Sequence, residues 1–323
     1  MIRLKDISSE VGLSPSTVSV VLRGEAKKFG IKASTVVKIQ EAAKRLGYIK
    51  NDFARIMRSG ESKIIGYITH NNYETEYSGR ILRGILHETS RIGYSLRLYK
   101  ESESDLDSAI AAILSQKICG LILSGDLDKE YMCKILNSLR THSIPAVTVN
   151  IANPLGGLGI MSNDEKGVQE ITEYLIKRGC QRIAYYGVLP SADYSILRLK
   201  GFRAAVRNMR ASHQFQFREF LQPVLPLSTL MKWDPDAIIC DSDYHAARLL
   251  QDAFILRTNI PQDVSIAGFG GIQISEYAGV SLTTVAQNFE LMGINAVKTL
   301  ISPTSKKITK IISTKLIIRN STK

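Results

Sequence analysis

From Lys63 onward, short apolar runs alternate with amphipathic helical patterns, and the alternation happens twice over. The first series runs "KIIGYIT", "GRILRGILHETSRIG", "YSLRLY", "DLDSAIAAILSQ", "CGLILS", "EYMCKILNSLRTH" and "PAVTVN". A second begins near Asn163 and runs "DEKGVQEITEYLIKRG", "QRIAYYG", "ILRLKGFRAAVRNM", "DAIICD", "YHAARLLQDAFILR" and "DVSIAGF". A strand followed by a helix and another strand closes as a parallel pair with a right-handed crossover. Two such series predict two similar doubly wound α/β subdomains, with ligand-facing loops at the carboxyl ends of their strands. A helix near Phe289–Ile301 and strands near "KIISTKLIIR" are expected to return to the first subdomain.

The first sixty residues follow a different grammar. "LKDISSEVG" carries Leu4, Ile7 and Val11 at helical spacing and stops at Gly12. Ser14 is a good N-cap, and Pro15 falls at the first helical position, where its missing N–H costs nothing. Val18, Val21 and Leu22 form an inward stripe. A third helix starts near Ser34, with Val36, Ile39, Ala42, Ala43 and Leu46 facing in. A helix, a glycine turn and a capped second helix form the layout of a helix-turn-helix, though any short αα-hairpin shares it.

Charge separates these regions. Residues 1–60 hold twelve Lys/Arg against five Asp/Glu, net +7 of the chain's +12. A basic head on a nearly neutral body suits a nucleic-acid binder or a solvated basic surface. A chain of 323 residues exceeds one ordinary core. The four cysteines form no C-x-x-C pair, and the five histidines show no metal spacing. No stretch approaches the ~20 apolar residues that span a bilayer, and "MIRLKDISSE" lacks the apolar run of a secretory signal, so a cytoplasmic protein without membrane contact is expected. "GFGG" and "LGGLG" lack the full dinucleotide-binding spacing, and no cofactor is expected. "DSD" at Asp241–Asp243 ends a strand, and reads equally as a ligand loop or a helix cap. No nucleophile, base and orienting group stand together, so no enzyme is expected.

In order along nearly the whole chain, "LKDISSEVGLSPSTVSVVL", "AAKRLGYIKNDFARIMRSGESKIIGYI", "QRIAYYG", "RLKGFRAAV", "IPQDVSIAGF", "LTTVAQ" and "LIIRNST" resemble the lactose-repressor (LacI/GalR) family of bacterial transcription regulators. The resemblance implies a homodimer or tetramer that binds a near-palindromic double-stranded DNA operator. It also implies a small effector, such as a sugar, sugar phosphate or related metabolite, held between the subdomains. The expected division is a DNA-binding domain over 1–50, a hinge over 51–61 and an effector domain over 62–323. Within the last, the first subdomain takes about 62–161 plus 288–323, and the second about 162–287.

The DNA-contacting positions so implied are Arg3, Lys5, Ser14, Pro15, Ser16, Thr17, Ser19, Val20, Arg23 and Thr35, with Asn51, Ala54, Arg55 and Met57 in the hinge. Val20 stands where relatives often have an arginine that pairs with guanine, so the operator is expected to be read differently there. The longer spacer "GEAKKFGIKAST" resembles the fructose and sucrose branch, and adds Lys27 and Lys28 for phosphates. Met57 stands where relatives wedge a leucine into the minor groove. The implied effector contacts are Arg198, Asp243, Tyr77, Asn150 and Gly270. Asn150 and Gly270 replace carboxylates, which predicts a less acidic pocket. The competing reading is a solute-binding receptor without DNA function, built on the same clamp.

Overall fold

A computed structural model of the chain describes residues 2–48, 62–70, 75–101, 106–187, 193–222, 224–302 and 309–323. The chain divides into two compact units, Met1–Glu61 and Ser62–Lys323.

The smaller unit is built on three helices, α1 (Leu4–Val11), α2 (Pro15–Leu22) and α3 (Ala33–Arg45). Gly12 ends α1 in the left-handed region at φ 68°. Ser14 caps α2, its Oγ accepting from the Thr17 N–H at 3.1 Å. The inward residues Ile7, Val11, Val18, Val21, Ile39, Ala42 and Ala43 are buried, and Ala26 joins them from the α2–α3 connection. Lys38 on α3 donates to the Val11 carbonyl at 3.0 Å, which satisfies an end of α1 that its own backbone leaves open.

The larger unit holds two six-stranded sheets. The first contains β1 (Ile64–Thr69), β2 (Ser95–Lys100), β3 (Gly120–Ser124), β4 (Ala146–Val149), β5 (Leu158–Ser162) and β11 (Thr309–Ile312), in the order β11-β5-β4-β3-β1-β2. The second contains β6 (Arg182–Gly187), β7 (Gln216–Leu221), β8 (Ala237–Cys240), β9 (Ser265–Gly270), β10 (Thr283–Ala286) and β12 (Lys315–Ile317), in the order β12-β10-β9-β8-β6-β7. Interior strands such as "GLILS" and "AIIC" are buried throughout, as strands covered on both faces must be. The helices of the first sheet are α4 (Glu76–Arg91), α5 (Leu106–Ser115), α6 (Lys129–Thr141) and α12 (Phe289–Ile301). Those of the second are α7 (Asp164–Lys177), α8 (Asp193–Met209), α9 (Leu227–Met231), α10 (Asp243–Leu256) and α11 (Ile274–Tyr277). Among the described residues, no helix is long and apolar enough to cross a membrane.

The return of 288–323 wholly to the first subdomain needs correction. Strand β11 pairs parallel with β5 in the first sheet, but β12 pairs antiparallel with β10 in the second. The tail stays there, with the Ser321 hydroxyl donating to the Ile266 carbonyl at 2.5 Å. "KIISTKLIIR" is two short strands split at Ser313–Thr314. An apolar run shows that a strand exists but not which open sheet edge it will close.

The chain therefore passes between sheets three times, near Asn163, at Gln287–Asn288 and at Ser313–Thr314. The three passages are neighbours. The Asn163 N–H donates to the Ile312 carbonyl at 2.9 Å, and Gln287 Nε2 donates to Ser162 Oγ at 2.5 Å.

Candidate functional site

In the head, the face of α2 away from Val18 carries Ser16, Ser19, Val20 and Arg23. Val20 lies roughly 200° round the helix from Val18 at ~100° per residue. Ser14, Pro15, Ser16 and Arg23 are exposed, and Thr17, Ser19 and Val20 are half-buried. Ser14 Oγ sits 2.7 Å from Ser16 Oγ and 2.8 Å from Thr17 Oγ1, so three hydroxyls are knitted at the start of the helix. Arg3 at the N-cap of α1 and Lys5 within it are exposed, and Thr35 stands in the first turn of α3. Arg23 pairs with Glu25 at 2.9 Å. Asn51, Ala54, Arg55 and Met57 lie outside the described residues.

In the larger unit, Arg198 on α8 points into the passages between the sheets. Its Nε donates to Asp164 Oδ2 at 2.8 Å, Nη1 to the Asp241 carbonyl at 2.7 Å and Nη2 to Gln287 Oε1 at 3.3 Å. The guanidinium lies 4.1 Å from the Phe269 ring centroid and 4.9 Å from that of Tyr194. Burial works against its charge, but Asp164, Asp241 and Tyr185 outweigh it and the pKa is raised. Asp164 opens α7 just after the first passage, and Gln287 is part of the second, so Arg198 is tied to two of the three passages. Ser162 completes the cluster through a short contact with Asp164. An arginine has five N–H donors, and three are used here. Ser195 Oγ, three residues before Arg198, is buried without a hydrogen-bond partner.

Asp243 is fully buried. Its Oδ1 accepts from Thr284 Oγ1 at 2.5 Å and its Oδ2 from the Ile272 N–H at 2.9 Å. Burial raises its pKa, against the pull of those hydrogen bonds and of Arg198. Ser242 is the helix cap, accepting from the His245 N–H at 3.2 Å, so the "DSD" segment is a cap followed by an inward clasp. Gly270 adopts φ 133°, a backbone that favours glycine, and a Cβ there would stand 3.3 Å from Asp243 Oδ2. Its lack of a carboxylate is thus bound up with the turn. Asn150 sits at φ 64°, where asparagine is among the better-tolerated side chains, with its backbone packed against Gly125.

Tyr77, on the first turn of α4, stacks obliquely on Phe289 at 6.1 Å. Burial raises its hydroxyl pKa, and the charges of Asp126 and Tyr194 add to the rise. The structure thus places Arg198 against Tyr194 and Phe269, and Asp243 beside Gly270 in the buried interior, while Tyr77 packs on Phe289 and Asn150 follows β4. Sequence reasoning missed Ser162, Asp164, Tyr194 and Gln287, and noted Asp241 only as part of "DSD". The available signals were an acidic residue two positions after β5 and the glutamine of "LTTVAQ".

Two parallel-sheet subdomains with a polar core at their strand crossings define a periplasmic-binding-protein type of fold, and residues 172–322 match the family described as "Periplasmic binding protein-like domain". The chain is 30% identical over 346 aligned positions to the ribose operon repressor of Halalkalibacterium halodurans, covering 100% of this chain and 98% of that one. It is 26% identical to the ribose operon repressor of Escherichia coli strain K12, covering 93% and 92%. The fold is similar to that of the Lac repressor dimer bound to operator and the anti-inducer ONPF, with a TM-score of 0.82 at 22% identity over 99% of both chains. The chain belongs to the lactose-repressor (LacI/GalR) family of transcriptional regulators, whose members are effector-controlled, DNA-binding repressors.

Proposed function

We propose that the three-helix head is a helix-turn-helix reader, and that a homodimer of the chain binds a near-palindromic operator under the control of a small effector held between the subdomains. The observation that carries the reading is α2. Its cap and inward valines leave Ser16, Ser19 and Val20 outward on a net +7 head. Ser14, Pro15, Thr17, Arg3, Lys5, Arg23 and Thr35 flank that face and position it on phosphates. Val20 offers a thymine methyl an apolar contact in place of a guanine-pairing fork. Asn51, Ala54, Arg55 and Met57 enter as hinge contacts on the strength of the resemblance alone.

Dimerisation is supported by an apolar patch on the second subdomain. Phe254 is 87% exposed and Tyr277 74%, with Ile255, Leu256 and Ile274 exposed beside them. Patches of this kind mark protein interfaces, and a second copy is the occupant proposed here. The effector, a sugar, sugar phosphate or related metabolite, would meet Tyr77, Asn150, Asp243, Gly270, Ser195 and the two unused N–H groups of Arg198.

Selection from a random duplex pool tests the reading. The expected product is a two-fold-related sequence bound roughly 10³-fold or more above random DNA, with affinity falling steeply as salt rises. Equal affinity for random DNA would sink it and leave a solute receptor. In the same selection, Val20→Arg should move one base of each half-site toward guanine.

A further inference from the structure

One exposed aromatic residue of the head has no place in the reading above. Phe29, between α2 and α3, is 58% exposed. Its segment is held rather than loose. The Ile31 N–H donates to the Ala26 carbonyl at 3.0 Å, and the Lys28 N–H to the Glu25 carbonyl at 3.0 Å. Ala26 is buried in the head core and Ile31 packs against it, so both ends of the turn are pinned. Gly30 turns the chain at φ 63°. Phe29 cannot fold inward without drawing Ala26 or Ile31 out of the core. A fixed, mostly exposed phenyl ring gives up hydrophobic free energy that a partner would recover.

The surroundings of the ring indicate the partner. Lys27, Lys28 and Lys32 flank it in the chain and are exposed, and among the described residues their side chains form no ion pair or hydrogen bond. Lys32 is also the N-cap of α3, with no side-chain cap bond, so the first-turn N–H groups stay open beside the turn. Three unneutralised cations around an apolar ring complement a sugar–phosphate backbone, with anionic oxygens on either side of a deoxyribose C–H face. They would repel an identical head.

We propose that Phe29 packs on a deoxyribose of the operator backbone while Lys27, Lys28 and Lys32 take the flanking phosphates. This makes the α2–α3 turn a sequence-independent clamp beside the base-reading helix. The inference rests on the DNA-binding reading and adds to it a contact that strengthens binding without choosing bases.

The test measures fluorescence-anisotropy titrations of full-length wild type and Phe29→Ala on the selected operator and on random duplex, between 50 and 200 mM salt. Wild type failing to prefer the operator would defeat the DNA-binding reading itself. If it does prefer it, Phe29→Ala should weaken both DNAs by a similar factor, about five- to tenfold, the scale of one partly buried ring, with the salt slope unchanged. Lys27→Gln/Lys28→Gln should instead lower the slope, by about 0.9 for each phosphate left without its lysine. A Phe29→Trp/Trp233→Phe protein should show a change in tryptophan emission on adding either DNA. Unchanged affinity in Phe29→Ala, or emission indifferent to DNA, overturns the proposal. So does a loss confined to the operator, because that would mean base reading.

Discussion

The head and the clamp use their cations in opposite ways. The side chains of Lys27, Lys28 and Lys32 stand exposed and unpaired among the described residues, and Arg23 pairs with the half-buried Glu25. Arg198 is buried, ion-paired to Asp164, hydrogen-bonded to Gln287 and the Asp241 carbonyl, and covered by Phe269. Leaving a charge in water costs little and keeps it available, whereas a buried one must be compensated almost completely. The head's charge is directed outward to a polyanion, while the cleft's is spent largely on the protein's own architecture.

That contrast can be broken at several points. The largest effect is expected from Arg198→Ala, which strands Asp164 and should destabilise the larger unit by about 3–5 kcal/mol in denaturant titration. A loss below about 1 kcal/mol would mean that Arg198 is held for a ligand and not for the fold. Gly270→Asp, which adds the carboxylate that the family resemblance places there, forces a side chain onto φ 133° close to Asp243 Oδ2 and should cost about 1–3 kcal/mol. An unchanged Tm would show that the turn relaxes freely.

Asp243→Asn should cost about 1–3 kcal/mol, since the amide cannot accept from both Thr284 and Ile272. The gap from wild type has a pH signature. Burial raises the Asp243 pKa in the folded state, so the folded protein holds that proton more tightly than the unfolded chain. The stability this contributes is present at low pH and declines as pH rises through the window between the two values. The wild-type advantage over the asparagine variant should therefore narrow with rising pH. A gap that widens would contradict the clasp.

In the head, Ser14→Ala removes a cap and should lower stability by about 1 kcal/mol, visible in head-specific amide exchange. Smallest of all, Lys27→Gln/Lys28→Gln/Lys32→Gln should leave stability within about 0.5 kcal/mol while flattening the salt dependence of DNA binding. A large stability loss there would erase the distinction between the two regions.

Local signals in the sequence carried much of this. Ser14 followed by Pro15 marks the start of α2, the inward valines mark its buried face, and alternating apolar runs mark two parallel sheets. What stayed hidden depends on distant partners. The Arg198 contacts lie at Asp164 and Gln287, 34 and 89 residues away, and no local pattern connects them. Gly270 reads in sequence as a missing acid, but its backbone angle shows a requirement of the turn. Asp243 enters the candidate effector set through the family resemblance, and the bonds its oxygens accept from Thr284 and Ile272, 41 and 29 residues away, have no local signal. The sheet taken by Lys315–Ile317 depends on which edge lies open, which is known only once both sheets are built.

The three neighbouring passages near Asn163, Gln287 and Ser313 have a kinematic consequence. Two rigid plates joined by three short straps in a row behave as a door on its hinges: they can swing about the line of the straps, and sliding or twisting would stretch at least one. Motion of one plate against the other is thereby easiest as a swing, and Arg198, tied to two of the straps, sits at the pivot.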